Sequence, residues 1–150
     1  MDPRIQRLYW HCTTLLFATH FAGWSAGLGA VIGLNVVQVA HFLARRRSLR
    51  AFDVQVRIGY LLLLAAGSVG PLWPLHAIQF VGANALLVVD YCPLARMLLL
   101  LPWNRRQPLS PALVRWIAFA PPRPGSIADR LAGRPAIPSA TRPPNRLDPS

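Results

Sequence analysis

Two long uncharged stretches set the pattern of this chain. From Leu8 to Ala44, 37 residues contain no Asp, Glu, Lys or Arg, and the same is true from Ile58 to Val89. One helix crossing about 30 Å of hydrocarbon needs about 20 apolar residues. The first stretch is therefore too long for one crossing and fits two short ones. Its break falls at Gly23-Trp24-Ser25-Ala26-Gly27-Leu28-Gly29, where glycine permits a tight turn and Trp24 suits a membrane–water interface. The second apolar region, Val54 to Leu101, breaks at Gly67-Ser68-Val69-Gly70-Pro71-Leu72-Trp73-Pro74, where two prolines flank a tryptophan. The pattern predicts spans at about 8–24, 28–44, 55–70 and 75–92.

The arginines test this independently. Arg4 and Arg7 precede the first span; Arg45, Arg46, Arg47, Arg50 and Arg57 sit around the junction of the second and third; Arg96, Arg105, Arg106 and the remaining arginines follow the fourth. Neither outer turn contains a basic residue. An even number of crossings separates each cluster from the next, which puts all of them on one face, as the positive-inside rule requires. The fold class predicted is an all-α integral membrane protein with four transmembrane helices as two helical hairpins. Both termini are expected in the cytoplasm, in a bacterial inner membrane. Re-entrant hairpins share this parity, but lipid-exposed irregular backbone needs protein cover that so short a chain has little of.

Beyond Pro93, Leu94-Ala95-Arg96-Met97-Leu98-Leu99-Leu100-Leu101 is apolar, too short to span and interrupted by an arginine. An interfacial helix over 93–103, anchored by Trp103, fits it. A second short helix is predicted from Ser110, with Ser110 as cap and Pro111 at the first helical position. Residues 1–103 thus form the membrane domain, and 104–150 a basic, Pro/Arg-rich cytoplasmic tail, disordered after about 121.

Composition agrees. Hydrophobic residues make up 53% of the chain and charged residues only 14%, well below the roughly 25% usual in soluble proteins. The net charge of +11 is all arginine, with no Lys and no Glu. A basic balance can mark nucleic-acid binding, but these arginines flank apolar blocks and do not interleave with aromatics on one face. Anionic lipid headgroups are the partner they fit. Cys12 and Cys92 make neither a disulfide framework nor a metal cluster by spacing, and no metal site is predicted.

Polar groups inside a membrane are where function is sought first, because each is costly unless partnered. The candidates are His11 and His20 in the first span, Asn35, Gln38 and His41 in the second, and His76, Gln79, Asn84 and Asp90 in the fourth. Asn35, Gln38 and His41 form one slanting stripe. Gln79, Ala83, Leu86 and Asp90 share a face, since eleven residues return to within about 20° of the start. Gly29, Gly33, Gly82 and Ala83 are placed to let helix backbones approach nearby. Asp90 needs a cation, and Arg57 and Arg96 are at a suitable depth to be its ion-pair partners. The structural reading, interhelical hydrogen bonds as glue, outweighs a transport path through these groups. Haem b between His11 and His41 is weighed as well, since helix bundles hold haem through axial imidazoles. Helical phase separates His11 from His20 by about 180°, so both cannot face the bundle centre.

Three function classes follow. The first is a non-enzymatic accessory or assembly subunit, which contacts other membrane subunits or copies of itself. The second is a small oligomeric transporter or channel lined by Asp90, Gln79 and Asn35, and the third a haem- or quinone-linked redox subunit. The first is preferred, no cofactor is expected, and enzymatic activity is disfavoured: the chain has no phosphate loop, nucleophile elbow or paired carboxylates.

Overall fold

In a computed structural model, residues 3–105, 107–121 and 133 are described. The disorder expected after residue 121 falls almost wholly outside them. The described residues are helical, with no strand: α1 (Pro3–Phe21), α2 (Gly27–Arg46), α3 (Phe52–Gly67), α4 (Pro74–Val89), α5 (Pro93–Leu98) and α6 (Pro111–Phe119), with one 3₁₀ turn at Gly70–Leu72.

Short connections force consecutive helices to run antiparallel. α1 packs on α2, α2 on α3, α3 on α4, and α4 returns to α1, closing a four-helix ring. Across it, Trp10 of α1 meets Tyr60 of α3 edge-to-face, ring centroids 5.1 Å apart. Phe17, Val31 and Leu64 are fully buried beside them.

The local chemistry explains the breaks. Gly23 turns the chain after α1 with φ +97°, a conformation costly for any residue with a Cβ. Pro71 and Pro74 open the 3₁₀ turn and α4, where a missing N–H costs nothing. Ser110 caps α6, its Oγ accepting from the Leu113 N–H at 3.2 Å, with Pro111 as first helical residue. The segment expected as one interfacial helix over 93–103 is shorter: α5 ends at Leu98, and turns follow through Asn104.

Two stretches, Gly27–Arg46 and Gly70–Val89, are long and apolar enough to cross a membrane. Only 28% and 17% of their most apolar windows are buried within the chain, unlike the core helix of a water-soluble domain. The helices at the other two predicted spans differ: α1 carries Arg4 and Arg7 in its first turns, and α3 has 16 residues, about 24 Å of length.

Of the small residues predicted to allow close approach, Ala83 is buried and a Cβ on Gly82 would come 3.4 Å from the Pro93 ring, but the tightest approaches are at other glycines. Gly29 and Gly33 are exposed, and a Cβ on either would meet nothing within 4 Å. They face outward because Val31, Asn35 and Gln38 take the inward face of α2. The tight contacts are at Gly27, where a Cβ would come 2.8 Å from the His20 backbone, and Gly67, where it would come 2.6 Å from the His76 ring.

Candidate functional site

The buried face of each bundle helix carries polar side chains. Thr13, Asn35 and Gln38 are fully buried, and Arg57, His76 and Gln79 are at most 5% exposed. Gln38, His76 and Gln79 link neighbouring helices, while Thr13, Asn35 and Arg57 donate within their own. Gln38 Nε2 donates to Thr13 Oγ1 at 2.9 Å, joining α2 to α1, and Thr13 in turn donates to the Tyr9 carbonyl. Gln79 Nε2 donates to the Tyr60 carbonyl at 2.9 Å, joining α4 to α3. One turn towards the start of α4, His76 Nε2 donates to the Leu64 carbonyl at 3.2 Å, which fixes its tautomer. Asn35 and Asn84 donate within their own helices, to the Val31 and Phe80 carbonyls. Asn35, Gln38, Gln79 and Asn84 are all engaged through the NH₂. The oxygens of Asn35, Gln38 and Gln79, and the Tyr60 hydroxyl, have no hydrogen bond to a described residue.

At the end of the bundle that holds the α2–α3 connection, His41 is half-buried and its Nδ1 shares a hydrogen bond with the Tyr9 hydroxyl at 3.3 Å. His11, two residues further along α1, is exposed. The structure therefore does not bring His11 and His41 together; Tyr9 occupies the position facing His41. At the opposite end it unites His20 and His76, ring centroids 6.0 Å apart and nearly perpendicular, with Phe17, Phe21 and Phe80 around them. Depth in the sequence also allows His20 with His76, but the pair it favours is His11 with His41, and the fold brings together the other one. The decisive feature is Gly67, which alone leaves room for the His76 ring. Among the described residues no group of three or more metal-ligating side chains converges.

Asp90 caps α4 in the left-handed conformation, φ +53°. Its ion pair is with Arg7 of α1, at 3.2 Å and partly exposed, in place of the Arg57 or Arg96 expected from depth. The reason is direction. Arg57 points from α3 towards α2: its guanidinium lies 3.2 Å over the Phe42 ring, and Nη1 donates to the Asp53 carbonyl at 2.7 Å. Arg96 is turned towards α6, where it donates to the carbonyls of Ile117, Ala118 and Ala120, with its guanidinium 4.2 Å from the Tyr91 ring. Tyr91 adds a bond to the Ala118 carbonyl at 3.2 Å. Arg96 is thus a C-cap supplied from another helix, satisfying carbonyls that the end of α6 leaves open. A second ion pair, Arg46 to Asp53 at 2.8 Å, ties the end of α2 to the start of α3.

Compared with known protein families, curated proteins and solved structures, the chain matches none. The functional reading therefore rests on the geometry alone.

Proposed function

We propose that this chain is a small multi-pass protein of the bacterial inner membrane, four helices crossing as two hairpins with both termini cytoplasmic. Its role is that of a non-enzymatic accessory or assembly subunit, contacting other membrane subunits or copies of itself. One observation carries the membrane reading: large apolar side chains face outward on every helix of the bundle, while several uncharged polar groups are buried inside it. Amides, a histidine and a threonine are buried among the aromatic and aliphatic side chains of its interior, while Leu8, Leu15, Val36, Val37, Leu62, Ile78, Val81 and Val88 stand exposed on all four helices. In water this arrangement is unfavourable on both counts, since buried polar groups and exposed apolar patches each cost free energy. In lipid both signs reverse, because interior polar groups find partners and apolar faces meet acyl chains.

The accessory role is supported by how the interior polar groups are used. Thr13, Gln38, His76 and Gln79 hold helices together, as hydrogen-bonding glue worth about 0.6 kcal/mol each. The outward Gly29 and Gly33 leave room for the backbone of another helix. Exposed arginines at the α2–α3 corner suit anionic headgroups. The test is extraction from native membranes. The chain should resist alkaline carbonate, dissolve in mild detergent and bring a reproducible set of membrane proteins, or a second copy of itself, with it. Release by carbonate defeats the membrane reading. A detergent-soluble monomer with no companion defeats the accessory role.

A further inference from the structure

The buried guanidinium of Arg57 is not accounted for by holding the bundle together. Arg57 is 1% exposed, and only Nη1 has a described hydrogen-bond partner, the Asp53 carbonyl. Nε and Nη2 are both buried without one. Those two nitrogens form one edge of the guanidinium, whose parallel N–H donors match two oxygens of a phosphate or carboxylate. The Phe42 ring covers the flat face at 3.2 Å, which fixes the plane in which that edge lies.

The charge is only partly compensated as well. The acids among the described residues are Asp53 and Asp90, and each is ion-paired with another arginine, Arg46 and Arg7. Asp53 lies one turn before Arg57 and is shared with Arg46, so two arginines and one acid leave a net positive charge in this corner. A buried cation of this kind calls for an anion. Arg57 sits in the second turn of α3, about 7 Å along the helix from the α2–α3 connection. Arg45, Arg46, Arg47 and Arg50 are exposed around that connection and would draw anions towards it.

We infer that the Nε–Nη2 edge of Arg57 binds a phosphate oxyanion side-on at the α2–α3 corner, entering past residues 47–51. The phosphate is either a lipid headgroup phosphodiester or free inorganic phosphate. The lipid source rests on the membrane reading above; the free source does not. No covalent step is involved.

The experiment uses the full chain in a neutral detergent, with Trp fluorescence following thermal unfolding. The probes are inorganic phosphate against chloride at equal ionic strength, and mixed micelles containing phosphatidylglycerol against detergent alone. Stabilisation by phosphatidylglycerol with no effect of free phosphate assigns the lipid source; stabilisation by free phosphate assigns the free one. Arg57→Lys keeps the charge but loses the two-donor edge, and should weaken apparent affinity by about tenfold or more. Arg50→Gln, on an exposed arginine, should change it by less than about twofold. Equal responses in wild type and Arg57→Lys, or a folded wild type that ignores both probes, overturn the inference. If Arg57→Lys does not fold, arginine-labelled wild type decides by NMR: inorganic phosphate or phosphatidylglycerol must shift a slowly exchanging Nε–H signal from a buried guanidinium, and no shift with either probe overturns it. A chain that stays folded and monodisperse without detergent would defeat the membrane reading while leaving the phosphate titration valid.

Discussion

Gly67→Ala is the substitution whose outcome the packing fixes most tightly. The new methyl would sit 2.6 Å from Cδ2 and Nε2 of the His76 ring. The ring is itself buried, with Phe17 and His20 beside it, at centroid distances of 6.1 and 6.0 Å, so retreat is restricted. Overpacking of this kind costs about 1–3 kcal/mol. If the ring swings away it loses the Leu64 carbonyl, and an unpartnered buried Nε2–H costs about 1–3 kcal/mol more. Alanine regains at most about 1 kcal/mol of helix propensity, and less at the last residue of α3. The net expectation is a loss of about 1–4 kcal/mol. Reversible unfolding in detergent, followed by circular dichroism, measures it. Gly33→Ala is the control: nothing lies within 4 Å of its Cβ, so it should be stabilised by about 0.5–1 kcal/mol. In Gly67→Ala/His76→Ala the methyl no longer meets a ring, so the double variant should lose less than the two single losses summed. A neutral Gly67→Ala, or strict additivity in the double variant, would refute the reasoning.

Three further outcomes follow from the same geometry. Asp90 holds φ +53°, so Asp90→Gly and Asp90→Asn should be nearly neutral, whereas Asp90→Val should lose about 1–2 kcal/mol in the same unfolding assay. The Arg7–Asp90 pair is partly exposed, and a double-mutant cycle should give a coupling of no more than about 1 kcal/mol. Arg96→Met removes the donors that cap α6, and limited proteolysis should then cut within 110–119 at least about tenfold faster, as expected for loss of charged hydrogen bonds worth 1.5–3 kcal/mol.

How far the sequence could be read depended on what kind of information each feature needed. Helix positions followed from apolar runs and from Gly and Pro punctuation, so the four bundle helices and the Ser110 cap of α6 stand close to where the pattern put them. Facing direction was legible over the middle of each stripe and lost at its end: Asn35 and Gln38 point inward together, as do Gln79 and Ala83, whereas His41, Leu86 and Asp90 are only partly buried. What the pattern could not supply was partner choice between helices. Depth made Arg57 and Arg96 as suitable for Asp90 as Arg7 is, and only the azimuth of each side chain separates them. The close-packing glycines were misread for a related reason. Gly29 and Gly33 carry a familiar spacing, but spacing does not say which face a neighbour takes, whereas Gly27 and Gly67 lie at helix ends with no spacing to mark them. The sequence marks Arg57 as one of the topology-setting arginines and a counter-ion for Asp90; its open edge becomes visible once Phe42 and Asp53 are placed around it.

Thiol labelling in intact cells tests the central claim, that apolar faces of this bundle meet lipid with the arginine clusters on one side. With Cys12 and Cys92 replaced by alanine, single cysteines are placed at Ser25 and Leu72 in the two outer turns, and at Ser48 and Gln107 beside the arginines. A membrane-impermeant maleimide should label positions 25 and 72 in whole cells, and positions 48 and 107 only after lysis. Opposite accessibility at 48 and 107, or equal labelling at 25 and 48, would contradict the account.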